Sequence, residues 1–274
     1  MLPSTSICSF IFIIDVMQLF ITPYTTKQKT ITITAPEVVE QARKVLRITS
    51  GDHFFVQDMQ PGKQAQTRLE VQFSAFEKTH QWLSIVGEIV AEENCPNTSD
   101  QITMCIAMPN KREKAELIVQ KLCEIGIAHI TFWPAERSII KQWNEKKAER
   151  LRKIAKEAIE QSRGRFFPKI SFVEKIENIL EWKKIVLFDK IDVPLNSDVI
   201  LNEVKNISNP LYPSTGSGWH DRKIWLIWPE WWRWPKDHEL FKKYDIETKD
   251  LWATMLRMET AAIVWWRLLK NTIV

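Results

Sequence analysis

Apolar and polar side chains alternate in short runs through the first third of the chain: "TITITA", "DHFFVQD", "RLEVQFSAF" and "WLSIVGEIVAE", separated by "SGD" and "QPGK". Period-two alternation broken by turn residues predicts strands. One helical stretch, "PEVVEQARKVLRI", sits among them, and the set predicts a small β-barrel over 17–92. "AEENCPNTSDQ" is polar, carries a proline and has no period, so 93–101 reads as a linker.

From residue 102 the rhythm becomes strand–helix alternation, the pattern of an α/β domain with a mostly parallel sheet. "ITMCIAM", "IAHITFW", "KKIVLFDK" and "KIWLIW" are buried-type strands. In "KREKAELIVQKLCEIG", Ala115, Ile118, Leu122 and Ile125 share a helical face that Gly126 closes. "NEKKAERLRKIAKEAIEQS" turns Ala148, Leu151, Ala155 and Ala158 inward and its Lys and Arg outward. "NISNPLYPSTGSG" is loop-like, and "LRMETAAIVWWRLL" predicts a last helix.

Composition narrows the function classes. Hydrophobic residues at 45% and charged residues at 26% of 274 leave room for a sizeable core and argue against a disordered chain. A net charge of +4 suits a phosphate-bearing partner without requiring one. Cys8, Cys95, Cys105 and Cys123 form no CxxC pair and read as reduced thiols of a cytoplasmic protein. The five histidines show no ligand spacing, so no metal is expected. "SFIFII" lacks a preceding Lys or Arg and is too short to span a bilayer; residues 1–16 read as a tail or a mis-called start, with no membrane partner.

Six ordered words carry a family resemblance over 17–274. "ARKVLRITSGD", "AMPNKREKAELIVQKLCEIGI", "PAERSIIK", "RLRKIAKEAIEQSRGRFFPKI" and the pair "LIWPEWWRWPKDHEL" and "LWATMLRMETAAIV" resemble the RsmE family of 16S rRNA (uracil-N3) methyltransferases. The resemblance implies an N-terminal PUA-like RNA-binding barrel and a SPOUT domain over 102–274, whose C-terminal trefoil knot holds S-adenosylmethionine. It also implies a homodimer acting on 16S rRNA of the small ribosomal subunit.

The cofactor words depart from the family at its glycines. Where the family reads "GPEGG" and "LG…LRxETA", this chain has Trp228, Trp231, Trp232 and Trp252. A glycine at a tight crossing admits backbone approach and positive φ that a side chain forbids. Glycine numbers 7 in the whole chain, well below the usual share of about 7%, while nine of 13 tryptophans fall in 219–274, which has no glycine. This pattern fits a gene in which UGA encodes glycine, with Trp225, Trp234, Trp265 and Trp266 as further candidates. Trp82, Trp133, Trp143, Trp182 and Trp219 stay open.

The resemblance assigns site residues. Backbone of Leu226, Ile227, Trp228, Pro229, Glu230, Trp231 and Trp232, and of Leu251, Trp252, Met255, Leu256 and Arg257, would cradle the cofactor, with Leu187 and Phe188 beside its adenine. Removal of the uracil N3 proton needs a base or an anion-stabilising group. Glu230 and Arg257 are the candidates. Glu230 could equally cap a helix, and Arg257 could pair with Glu259 or the dimer partner; Glu259 and Thr260 also suit a helix start. Arg137, Arg163 and Arg165 are candidate RNA contacts, although the family's arginine lies one place after Arg163, at Gly164. Arg43, Lys44 and Arg47 would meet phosphates non-specifically. Two rival readings stand beside this one: a non-catalytic RNA-binding homologue if the tryptophans are real, or another SPOUT enzyme methylating ribose or tRNA.

Overall fold

A computed structural model describes residues 17–58, 65–79, 82–96, 102–135, 138–140, 144–180, 185–188, 223–227, 235–244, 246–249 and 257–263. The first six strands are β1 (Gln18–Ile21), β2 (Thr25–Lys27), β3 (Thr30–Ile33), β4 (His53–Gln57), β5 (Ala65–Thr79) and β6 (Trp82–Pro96), ordered β1-β4-β5-β6-β3-β2. Every ladder is antiparallel except β1 on β4. Two register shifts along the long β5–β6 hairpin, between Glu70 and Val71 and between Phe73 and Ala75, mark bulges that twist and bend the pair. Gly87 lies in β6 where a Cβ would come within 2.4 Å of Val71 Cγ1 and 2.8 Å of the Gln72 carbonyl oxygen. Close backbone approach explains a glycine inside that strand.

Closure of the expected barrel is not seen among the described residues, where no pairing joins β1 to β2. The expected helix is also different. A short α1 (Pro36–Glu40) widens into a π-turn over Gln41–Leu46, which ends at Arg47 in the left-handed region with φ 53°. Val38, Val39 and Ala42 pack from it onto Phe20, Phe54, Val56, Val71 and Ile85 of the sheet. Residues 93–96, expected in a linker, continue β6, because Glu93 to Pro96 find ladder partners in Ala65 to Arg68.

The second sheet contains β7 (Ile102–Ala107), β8 (His129–Trp133), β9 (Lys169–Phe172), β10 (Ile185–Phe188), β11 (Lys223–Ile227) and β12 (Glu247–Lys249). All its ladders are parallel, in the order β12-β10-β11-β7-β8-β9. Every residue of β8 is buried, as a central parallel strand covered on both faces requires. The helices are α2 (Arg112–Glu124), α3 (Glu145–Ser162), α4 (Glu177–Leu180), α5 (Pro235–Lys243) and α6 (258–263). The periodicity of α2 and α3 holds: Ala115, Ile118 and Leu122, and Ala148, Leu151, Ala155 and Ala158, are buried. Asn144 caps α3 by accepting the Lys147 amide at 2.9 Å.

β1 is the wall between the two halves. Successive strand side chains face opposite ways, and Leu19 and Ile21 join the core of the parallel sheet while Phe20 joins the other. The outer edge of β1 is covered as well, since the Ile21 amide donates to Glu160 Oε1 of α3 at 2.9 Å. Burial raises the Glu160 carboxyl above its ordinary value, with the Ile21 amide and Lys156 pulling it back. An acid raised on folding adds nothing to instability while protonated in both states, and costs stability as pH climbs through the carboxylate range to the raised value. Glu160→Gln keeps the acceptor for Ile21. Its melting temperature is expected to equal the parent's near pH 3 and exceed it by about 2 °C near pH 8; calorimetric melts across pH check this.

Candidate cofactor and RNA site

The strand order directs attention to one edge. The chain lays down β7, β8 and β9 outward, then places β10 on the far side of β7 with one slot left between, which β11 fills. Ligands of parallel α/β sheets bind beyond the carboxyl ends of strands where the order reverses. That edge is where β10 ends in Leu187 and Phe188, in register with Leu226 and Ile227 of β11. Ile227 pairs in turn with Ile106 of β7 and is buried among Met258, Ala262 and Phe241. The structure therefore brings four expected cofactor residues together. Trp228, Pro229, Glu230, Trp231, Trp232, Leu251, Trp252, Met255 and Leu256 lie outside the described residues, as does Arg137.

Arg257 enters α6, its carbonyl accepting the Ala261 amide at 2.8 Å, with its side chain exposed. Met258 and Ala262 anchor α6 in the core. Glu259 is held by Lys114 of α2 at 3.3 Å, so its ion pair is with that lysine and not with Arg257.

The loops after β7 and β8 are tied to each other over the same edge. Met108 donates its amide to the Trp133 carbonyl at 2.7 Å. The buried Ser138 accepts the Ala135 amide at 3.0 Å and donates to the Met108 carbonyl at 3.1 Å. Asn110 Oδ1 accepts the Ile139 amide at 2.9 Å. Ala135 and Ser138, on either side of residues 136–137 in the sequence, are both buried. Sequence reasoning passed over Asn110 and Ser138, although both lie inside the recognised words "AMPNK" and "PAERS".

The third cluster is at the end of α3. Arg163 adopts φ 53° as the left-handed C-cap of the helix, and Gly164 follows it without a positive φ. This reverses the usual use of glycine at a helix end. Arg163→Gly is expected to stabilise the protein by about 1 kcal/mol in urea titration, since a non-glycine residue there carries a Cβ–carbonyl clash. Arg165 is exposed and reaches Glu93 Oε1 at 3.2 Å. Arg43, Lys44 and Arg47 are all exposed on the π-turn, Lys44 pairing with Glu40 one turn earlier.

Residues 96–270 match the family model described as an RNA methyltransferase domain, well over half of the chain. The chain belongs to this RNA methyltransferase family. No curated protein matches it. Among solved structures it is similar to ribosomal RNA small subunit methyltransferase E from Neisseria gonorrhoeae bound to S-adenosyl methionine. There the TM-score is 0.66 at 18% identity, covering 93% of this chain and 97% of that one. A "probable rRNA-methyltransferase" from Porphyromonas gingivalis gives 0.66 at 21%, covering 93% and 98%. A Legionella pneumophila structure with bound cofactor SAM gives 0.65 at 18%, covering 93% and 97%.

Among the described residues no cluster of His, Cys, Asp and Glu could hold a metal ion, and no helix is long and apolar enough to cross a membrane. Burial pushes the Cys105 and Cys123 thiols up from their ordinary value, as for free cysteines set in a core. A groove of about 540 Å³ between α2 and α3 is lined by Glu113, Glu116 and Glu157, with Glu116 paired to Arg112 and Arg150.

Proposed function

We propose that the protein methylates N3 of a uridine in 16S rRNA of the small ribosomal subunit, using S-adenosylmethionine. The observation that carries the reading is the carboxyl edge of β10 and β11. One family word, "LIWPEWW", begins in the last two residues of β11 and runs on past it, and the other, "LWATMLRMETA", begins two positions after the end of β12. The reading includes a PUA-like barrel built on the first sheet, a trefoil knot in the C-terminal segment and a homodimer. A late strand, β11, inserted between two earlier ones is the order a threaded chain requires.

The register of β10 on β11 supports a cofactor site there: Leu187 and Phe188 pair with Leu226 and Ile227 at the strand ends, and apolar residue types suit an adenine. When bound, S-adenosylmethionine supplies a methyl group on a sulfonium. The protein's own part is to bring uracil N3 in line with that methyl, where positioning alone accounts for much of the rate. Backbone of 226–232 and 251–257 would hold the cofactor. Glu230 would accept the N3 proton, or Arg257 would stabilise the uracil anion as the proton leaves to water. Arg137, Arg163 and Arg165 would hold the RNA strand, and Arg43, Lys44 and Arg47 would add phosphate contacts felt as salt dependence.

Methyl transfer from radiolabelled S-adenosylmethionine to 16S rRNA and to bulk tRNA, offered in competition, tests the substrate. Label entering 16S rRNA alone is expected. Label entering tRNA would favour another SPOUT activity, and RNA binding without any transfer would favour a non-catalytic role.

A further inference from the structure

Arg68 is a buried charge with an unusual set of partners. It sits on β5 at 7% exposure, and one guanidinium nitrogen donates to the carbonyls of Arg163 at 2.9 Å and Gly164 at 2.8 Å. Another nitrogen lies 4.0 Å from Glu93, and the guanidinium stacks 5.4 Å over the Phe55 ring. Burial and the charges of Arg165 and Arg163 oppose its ionised form, while Cys95 and Glu93 favour it. Burying a third arginine beside two others is costly unless its geometry achieves something.

What it achieves is visible in the neighbouring bonds. Gln57 of β4 donates to the Arg165 carbonyl at 2.9 Å, and Gln66 of β5 accepts the Phe167 amide at 3.1 Å. The backbone is therefore held at 163, 164, 165 and 167 by side chains of the first sheet, 95 or more positions earlier in the chain. Arg68 takes the two carbonyls at the left-handed end of α3, where the helix dipole leaves partial negative charge. A loop pinned in this way cannot reorient independently of the sheet that carries Arg43, Lys44 and Arg47.

We propose that Arg68 is a positioning residue for RNA recognition. It locks the end of α3 to the first sheet, so that Arg163 and Arg165 meet the RNA in a preset arrangement. The proposal rests on the reading of RNA as the partner of these arginines.

The test is binding of the full-length protein to a 16S rRNA transcript by filter retention, with Arg68→Met, the double variant Arg163→Ala and Arg165→Ala, and all three changes combined. Each of the first two is expected to weaken binding about tenfold, and the combination to be no weaker than the double variant within about twofold, because residues acting as one unit do not add. Arg68→Lys keeps the charge and a donor, and is expected to recover most of the affinity; Arg68→Gln, which loses the charge, is carried through the same cycle if Arg68→Met folds poorly. S-adenosylmethionine affinity is expected to stay unchanged throughout. Multiplying effects near a hundredfold would overturn the proposal by making Arg68 a direct RNA contact. Joint loss of cofactor and RNA binding would reduce it to a general fold residue, and an unaltered Arg163/Arg165 variant would leave it nothing to position. If the parent protein binds the transcript yet transfers no methyl, the methyltransferase reading fails while the cycle still decides the role of Arg68.

Discussion

Protein carrying Trp228→Gly, Trp231→Gly, Trp232→Gly and Trp252→Gly is expected to bind S-adenosylmethionine at least about 100-fold more tightly than the chain with four indoles, measured by titration calorimetry. Overfilling a close-packed site costs about 1–3 kcal/mol per position. Four positions at the low end total about 4 kcal/mol, and about two-thirds of that surviving relaxation is roughly 2.7, about 100-fold at 1.4 per decade. The same argument concerns the native molecule. Tandem mass spectrometry of the peptide "IWLIWPEWWR" from its source is expected to show glycine at 228, 231 and 232. Tight cofactor binding with all four rings in place would refute the steric argument.

Trp133 is expected to behave in the opposite way. It is 1% exposed and among the largest fully buried side chains, closing β8 within the parallel-sheet core. Trp133→Ala should remove about 3–5 kcal/mol of stability through lost burial and the cavity left behind, and Trp133→Gly about 1 kcal/mol more through backbone freedom. Against a typical total of about 5–15 kcal/mol that is a large fraction. Urea unfolding gives the number, and codon 133 is expected to be UGG. A loss under about 1 kcal/mol would mean the indole is no core element, and would move Trp133 to the recoded set. Residue type alone could not separate Trp133 from Trp228; its burial does.

The difference illustrates what a sequence can convey about this fold. The amphipathic faces of α2 and α3 were legible because their apolar spacing is set by the helix itself. β1 was not, since "LFI" is buried on both faces and shows no alternation. β9 and β12 are four and three residues long and owe their form to neighbours. The π-turn after α1 has no periodic signature, and its basic residues read the same in any helix. The edge formed by Leu187, Phe188, Leu226 and Ile227 was reached through family words, not through physics of the residues. Arg68 was invisible for another reason. An arginine in an alternating strand reads as a solvated face, and only the docking of α3, far along the chain, buries it. At the end of α3 the left-handed position falls on Arg163 and not on Gly164.

The central claim is the atom that receives the methyl. Small subunits lacking the modification, treated with the glycine form of the protein and S-adenosylmethionine, should yield 3-methyluridine on nucleoside mass spectrometry. Primer extension should halt at a single uridine of 16S rRNA, because a methyl on N3 blocks the pairing face. A 2′-O-methylated nucleoside, or 16S rRNA that stays unmodified while the protein binds both cofactor and RNA, would contradict it.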